Sequence, residues 1–441
     1  MKNFKDSGIE WLGEIPEHWE VVKINKIVTF VNGYAFENFD LNPTFEIPVI
    51  RIGDIQKEKI LYDNCLKTKE KEKLKQFLIS NNDILIALSG ATTGKIAFCD
   101  TDNKAYINQR VAIVRSKLKL VKYYFLTRGF SLLIELACNG SAQPNISTKE
   151  IGEFKIPLPP LKEQEQIANF LDEKCEKIKN FIEKKEKLIS LLKEQKQALI
   201  NETITKGLDK NVNFKGSDIE WLGEIPQHWK INKIKFIAYV KGRIGFHGLN
   251  SKEFQYGKGA HLVTGNDFYN NKVMWDRCRR INEERFSEDP SIHLQDNDLL
   301  VTKDGTIGKT AIVRNCPNQA TLNSGIFLVR VVEKLCLVKY LFYIINSQYF
   351  KEFVISKTCG STIKHLYQSD FHEFKIPLPP LKEQEQIANF LDEKCGKIDL
   401  LIEKTEKQIK LIKEYKTTLI NQAVCGRINL QKRENNEDYS S

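Results

Sequence analysis

Side chains able to hydrogen-bond a base edge or a phosphate gather in two separate, turn-rich stretches of this 441-residue chain. In the first stretch they are Arg51, Thr92, Thr93, Lys95, Asn108, Gln109, Arg110, Gln143 and Asn145. In the second they are Arg243, Asn266, Lys303, Thr306, Lys309, Asn323, Ser324 and Lys364. Arg and Lys suit guanine edges and phosphate oxygens, while the carboxamides of Asn and Gln suit adenine. These sets are candidates for contact with double-stranded DNA.

Other chemistries fail on spacing. SGATTGKIA from Ser89 and KDGTIGKTA from Lys303 resemble phosphate loops, but Gly90 and Gly94 enclose three residues and Gly305 and Gly308 enclose two, where a nucleotide loop needs four. The seven histidines form no metal-ligand spacing, and the ten cysteines include no C-x-x-C pair, so buried thiols in a reducing compartment are expected and no metal. No nucleophile elbow or dinucleotide fingerprint appears. Neither catalysis nor a cofactor in this chain is supported.

Charge places the candidates. The net charge is +10, and residues 21–150 hold 19 Lys and Arg against 13 Asp and Glu, while residues 231–370 hold 20 against 13. Over residues 161–206 the balance is only 10 against 9. The surplus positive charge therefore sits in two blocks where a polyanion would be held. No secretory-type stretch opens the sequence and no run of 18 apolar residues occurs, so a cytoplasmic protein with no membrane contact is expected.

The elements that must position these residues come in two copies. FKDSGIEWLGEIPEHW at 4–19 returns as FKGSDIEWLGEIPQHW at 214–229, and FKIPLPPLKEQEQIANFLDEKC at 154–175 returns unchanged at 374–395. Each copy is thus an opening marker, a variable block and a proline-led helix. Short apolar runs bounded by Gly, Asn and Asp, such as DILIALSG from Asp83 and NDLLVTKDG from Asn297, read as strands. Helical patterns lie at 68–79, 121–137 and 338–355.

After Pro160 and Pro380, apolar residues recur at heptad spacing: Ile167, Phe181, Leu188 with Leu171, Ile178, Leu192, Leu199, then Ile387, Leu401 with Leu391, Ile398, Ile412, Leu419. Lys174 and Lys394 interrupt the seam, and Ile182, Ile189, Ile402 and Ile409 offer a way to rotate it or to contact another chain. About 40 helical residues make a rod of roughly 60 Å. The expected fold is α+β, with two globular domains alternating with two long helices packed as an antiparallel coiled coil, an internal pseudo-two-fold repeat. The boundaries are 1–158, helix 159–206, 207–378, helix 379–426 and a polar tail 427–441.

The W-L-G-x-I-P-x-H-W marker, the T-x-G-K turn and the I-P-L-P-P-L-x-E-Q-x-x-I helix start, each duplicated, closely resemble the DNA specificity subunit of type I restriction-modification systems. The resemblance spans essentially the whole chain. It implies two target-recognition domains, each reading half of a bipartite DNA site, with the helices as a ruler between them. It further implies two methyltransferase subunits docked on the shared regions and restriction subunits joined to those. S-adenosylmethionine, ATP and Mg would belong to these partners. The alternative is a coiled-coil scaffold whose basic domains hold nucleic acid without sequence preference.

Overall fold

The structure is a computed structural model. It describes residues 3–56, 58–99, 103–138, 144–219, 222–243, 249, 253–255, 257–358 and 365–428. Two compact units emerge, one of residues 1–185 with 407–441 and the other of residues 186–406. The long helices, α1 (Leu161–Lys206) and α2 (Leu381–Val424), are each divided between the units instead of forming bodies of their own.

In the first unit a four-stranded antiparallel sheet runs in the order Ile96–Phe98, Ile84–Ala87, Val111–Arg115, Thr29–Asn32. The central strands, ILIA and VAIVR, are buried on both faces, as their continuous apolar sequences require. Beside it Tyr106–Ile107 pairs in parallel with Ile47–Ile50, which also pairs with Leu66–Thr68. Asp83, buried just before the sheet, receives Arg115 Nε at 3.0 Å and Nη2 at 3.0 Å, while Nη2 also donates to Leu78 O. This fork fixes where the sheet starts.

The second unit repeats the plan. Its larger sheet runs Ala238–Gly242, Ile326–Val331, Leu299–Thr302, Thr310–Ile312, Lys272–Val273, Phe268–Tyr269, and a three-stranded sheet runs Arg279–Ile281, Ala260–Val263, Ala320–Leu322. The same fork recurs: Arg330 Nε donates to Asp298 Oδ1 at 2.7 Å, Nη2 to Oδ2 at 2.8 Å, and Nη2 to His293 O at 3.0 Å. The two helical patterns break in a matched way, into Val121–Phe125 and Arg128–Ala137 here, Val338–Ile345 and Gln348–Thr358 there. The pattern at 68–79 is a 3-10 turn, Glu72–Phe77, instead of an α-helix: Leu74 is its only buried residue, so no apolar face favours a longer helix.

Each unit ties its marker to its helix start. The strand Lys155–Leu158 pairs antiparallel with Glu20–Lys23, and Lys375–Leu378 with Lys230–Lys233. Trp19 and Trp229 are fully buried. Their indole N–H groups donate to Glu163 Oε2 and Glu383 Oε1, both at 3.0 Å, and His18 and His228 share hydrogen bonds with the same carboxylates at 2.7 and 2.8 Å. These glutamates stand in the first turn, where the helix dipole also favours a negative charge.

The far ends of the helices rest on the same markers. Gly426, after α2, has φ +73 and so little room that a Cβ would lie 2.5 Å from Pro16 and 3.0 Å from Trp19. Gly207, after α1, has φ +72, and its Cβ would lie 3.1 Å from Trp229. A left-handed glycine ends each helix and brings it against tryptophan.

In the first unit the start of α1 and the end of α2 share one core, with Leu171 and Ile178 alongside Leu419, Ala423 and Val424. In the second the partners exchange, with Ile200 and Ile204 alongside Ile387, Leu391 and Cys395. Within each unit the helices are therefore antiparallel. The seam is corrected in one respect. Leu171, Ile178, Leu192, Leu391, Ile398 and Leu419 are buried, as are Ile167 and Ile387 near the helix starts, and Leu199 and Ile412 are half-buried. Phe181, Leu188 and Leu401 are exposed at 39%, 40% and 51%. The seam's second row falls instead on Cys175, Ile182 and Ile189, then Cys395, Ile402 and Ile409, because Ile167 and Ile387 pack into the globular cores and leave that row. Lys174 and Lys394 lie over Phe170 and Phe390 on their own helices.

Candidate nucleic-acid interface

One backbone frame carries the polar candidates in the first unit. Leu88, just past the strand Ile84–Ala87, donates its N–H to Arg110 O at 2.9 Å and accepts from Ile146 N at 2.9 Å, and Gly90 N donates to Pro144 O at 2.8 Å. A cleft of about 1050 Å³ opens beside these bonds, lined by Asn32, Ser89, Gln109, Arg110 and Asn145 among others. Gln109, Arg110 and Asn145 are exposed. Gly33 allows the frame to close, since a Cβ there would meet Asn108 O at 2.1 Å.

The remaining candidates in this unit shape turns. Thr93 Oγ1 donates to Gly90 O at 2.7 Å and Pro144 O at 3.0 Å, and Thr92 Oγ1 donates to Ser89 O at 3.3 Å. Asn108 donates its N–H to Ile50 O and accepts from Val111 N. Arg51 donates both its Nε and its backbone N–H to Asp54 Oδ2. Lys95 is exposed at the end of the turn. Gln143 lies outside the described residues.

The second unit builds the same frame. Lys303 N donates to Gly325 O at 2.9 Å, and Leu366 N to Lys303 O at 3.0 Å. Ser89 bridges Asn145 in the first unit, and Asp304 bridges His365 in the second, where the two side chains also share a hydrogen bond. Lys303 is half-buried with Nζ 5.1 Å from the centre of the Phe327 ring, and burial lowers its pKa. Ser324 N donates to Asn323 Oδ1 at 2.8 Å. Asn266, Thr306 and Lys309 are exposed. Lys364 lies outside the described residues.

Arg243 is placed where no base edge can reach it. It is 2% exposed, donating Nε to Leu322 O at 2.9 Å and Nη2 to Thr321 Oγ1 at 3.3 Å. In the first unit the matching carbonyl, Ile107 O, accepts a backbone N–H from Tyr34. Burial lowers the pKa of the Arg243 guanidinium. Conversely, Asn32, Ser89, Asp304 and His365 belong to the frame but escape a reading by residue type. Superposing the two copies on Leu88 and Lys303 is the signal that finds them.

Among the described residues no cluster of three or more His, Cys, Asp or Glu can hold a metal ion. Nor is any described helix long and apolar enough to cross a membrane. The cysteines described as free are mostly buried, and burial raises the pKa of Cys65 and Cys278 to about 12, which leaves them poor nucleophiles.

The type I restriction modification DNA specificity domain matches this sequence over residues 16–194 and again over 226–411, one match for each copy of the repeat. The chain is a type I specificity subunit. The MjaVIII specificity subunit of Methanocaldococcus jannaschii is 25% identical over 95% of this chain and 94% of its own length. The EcoBI specificity subunit of Escherichia coli is 21% identical over 100% and 92%. A solved structure concerned with complex assembly and conformational transition of the type I R-M system covers 94% of this chain and 99% of its own, with a TM-score of 0.69 at 14% identity, which speaks for the fold. A specificity subunit is a noncatalytic DNA-recognition subunit. The scaffold alternative is not favoured.

Proposed function

We propose that each globular region of this specificity subunit reads one half of a bipartite DNA target, while α1 and α2 set the spacing between the halves. The observation that carries this is one backbone frame built twice with different side chains, in units that each hold an antiparallel stretch of α1 and α2. Two methyltransferase subunits dock on the duplicated marker and helix-start surfaces, and restriction subunits join them. Methyl transfer and cleavage depend on this chain for their address. S-adenosylmethionine, ATP and Mg are bound by the partners.

Sequencing of methylated bases in cells expressing the chain with its methyltransferase partners should reveal a bipartite adenine-modified motif. Exchange of residues 231–370 should change one half-site, and shortening the helices should change the spacer. An active complex without any such motif refutes the reading. Competition between specific and random duplexes at fixed salt separates it from nonspecific polyanion binding.

A further inference from the structure

The hydrogen bonds shared by the frame in the two units join backbone N–H to backbone C=O, so the same frame carries different side chains in each. Within it, some positions agree between copies: Gly90 with Gly305, Lys95 with Lys309, Asn108 with Asn323. The matched positions around the cleft do not. Ser89 stands where the second copy has Asp304, Gln109 where it has Ser324, Arg110 where it has Gly325, and Asn145 where it has His365. Charge is relocated as well: the cation at Arg110 is absent at Gly325, and a new one, Lys303, replaces Leu88.

We propose that these matched, differing positions are the specificity determinants of the two halves, and that the shared glycine turns hold the sugar-phosphate backbone alike in both. The proposal rests on the bipartite reading above and assigns its residues. Gln109, Arg110 and Asn145 make no side-chain hydrogen bond to any described residue, so their donors and acceptors are available at the cleft. The planar fork of Arg110 fits guanine O6 and N7, and the carboxamides of Gln109 and Asn145 fit adenine N6 and N7. The first half-site therefore contains a guanine read by Arg110 beside adenine. In the second half the Asp304 carboxylate accepts from the N4 amine of a cytosine, with His365 orienting it.

The test uses the full chain with its methyltransferase partners and two variants, Arg110→Gly and Asp304→Ser, each introducing the residue that the same frame already carries in the other copy. Methylation sequencing should show Arg110→Gly relaxing one G·C position of one half-site, its discrimination falling roughly 10- to 100-fold. Asp304→Ser should relax one position of the other half-site, and the spacer should not move. Unchanged motifs in both variants, or relaxation in the same half-site, overturn the proposal. A wild-type complex with no bipartite motif would instead indict the functional reading. If a variant abolishes methylation, binding of the purified complex to duplexes varied at single positions decides: lost preference at one base pair supports the assignment, and equal weakening on every duplex overturns it.

Discussion

The indole N–H of Trp19 donates to Glu163 Oε2 across 144 residues of sequence, joining the opening marker to the first turn of α1. Trp229 and Glu383 repeat the bond in the second unit. Hydrogen bonds to a charged acceptor contribute roughly 1.5–3 kcal/mol. Glu163→Ala removes both the Trp19 and His18 bonds, and we expect it to destabilise the chain by roughly 2 kcal/mol, with Glu383→Ala costing a similar amount. Urea unfolding of both variants checks this, and unchanged midpoints would remove the clamp from the account.

Asp298 presents the sharper case because it is 1% exposed. Removing one partner of a fully buried pair costs about 3–5 kcal/mol. Arg330 keeps 35% of its side chain exposed and can regain water, so Asp298→Ala should cost roughly 2–3 kcal/mol. A double-mutant cycle with Arg330→Met should show coupling between the two sites; additive losses would contradict the fork.

Gly33→Ala brings a Cβ to within 2.1 Å of a backbone oxygen, a contact that no rotamer change can relieve. Overpacking of this kind costs roughly 1–3 kcal/mol. Because the strain falls on the Asn108 carbonyl beside Gln109, we expect methylation to lose fidelity in one half-site while the other remains intact. Gly216→Ala, with nothing within 4 Å of its Cβ, serves as the control.

Glu373 gives a pH signature. Lys233 and Lys235 both hydrogen-bond its carboxylate and depress its pKa from 4.5 to about 2. A depressed carboxyl stabilises the fold above its unfolded value, and that contribution fades as pH falls from about 4.5 toward 2. Carboxyl NMR titration should find Glu373 still ionised near pH 3, and Lys233→Met with Lys235→Met should return it toward 4.5.

The long helices were legible because their signals are local: prolines before, glycine after, and a heptad repeat between. The seam was half legible. Leu171 and Phe181 look equally apolar in sequence, but only the globular cores decide that Ile167 turns inward and Phe181 stays at the surface. At residues 68–79 a charged stretch imitated a helix whose apolar face does not exist. Arg243 and Arg110 show the limit for site residues, since both are arginines beside a strand end. Arg243 is buried against Leu322 O, 79 residues away, while Arg110 is exposed at a cleft, and the amino-acid type reports neither placement. The frame itself uses only main-chain groups, which residue types do not report.

The glycine that closes α2 against Trp19 has a topological consequence. Arg427 Nη2 reaches Leu12 O at 3.2 Å, so the last described turn lies beside the first marker as Gly207 lies beside the second. Each marker thus meets the first turn of one long helix and the terminal glycine of the other, so within each unit a single tryptophan sets the register of two helix ends.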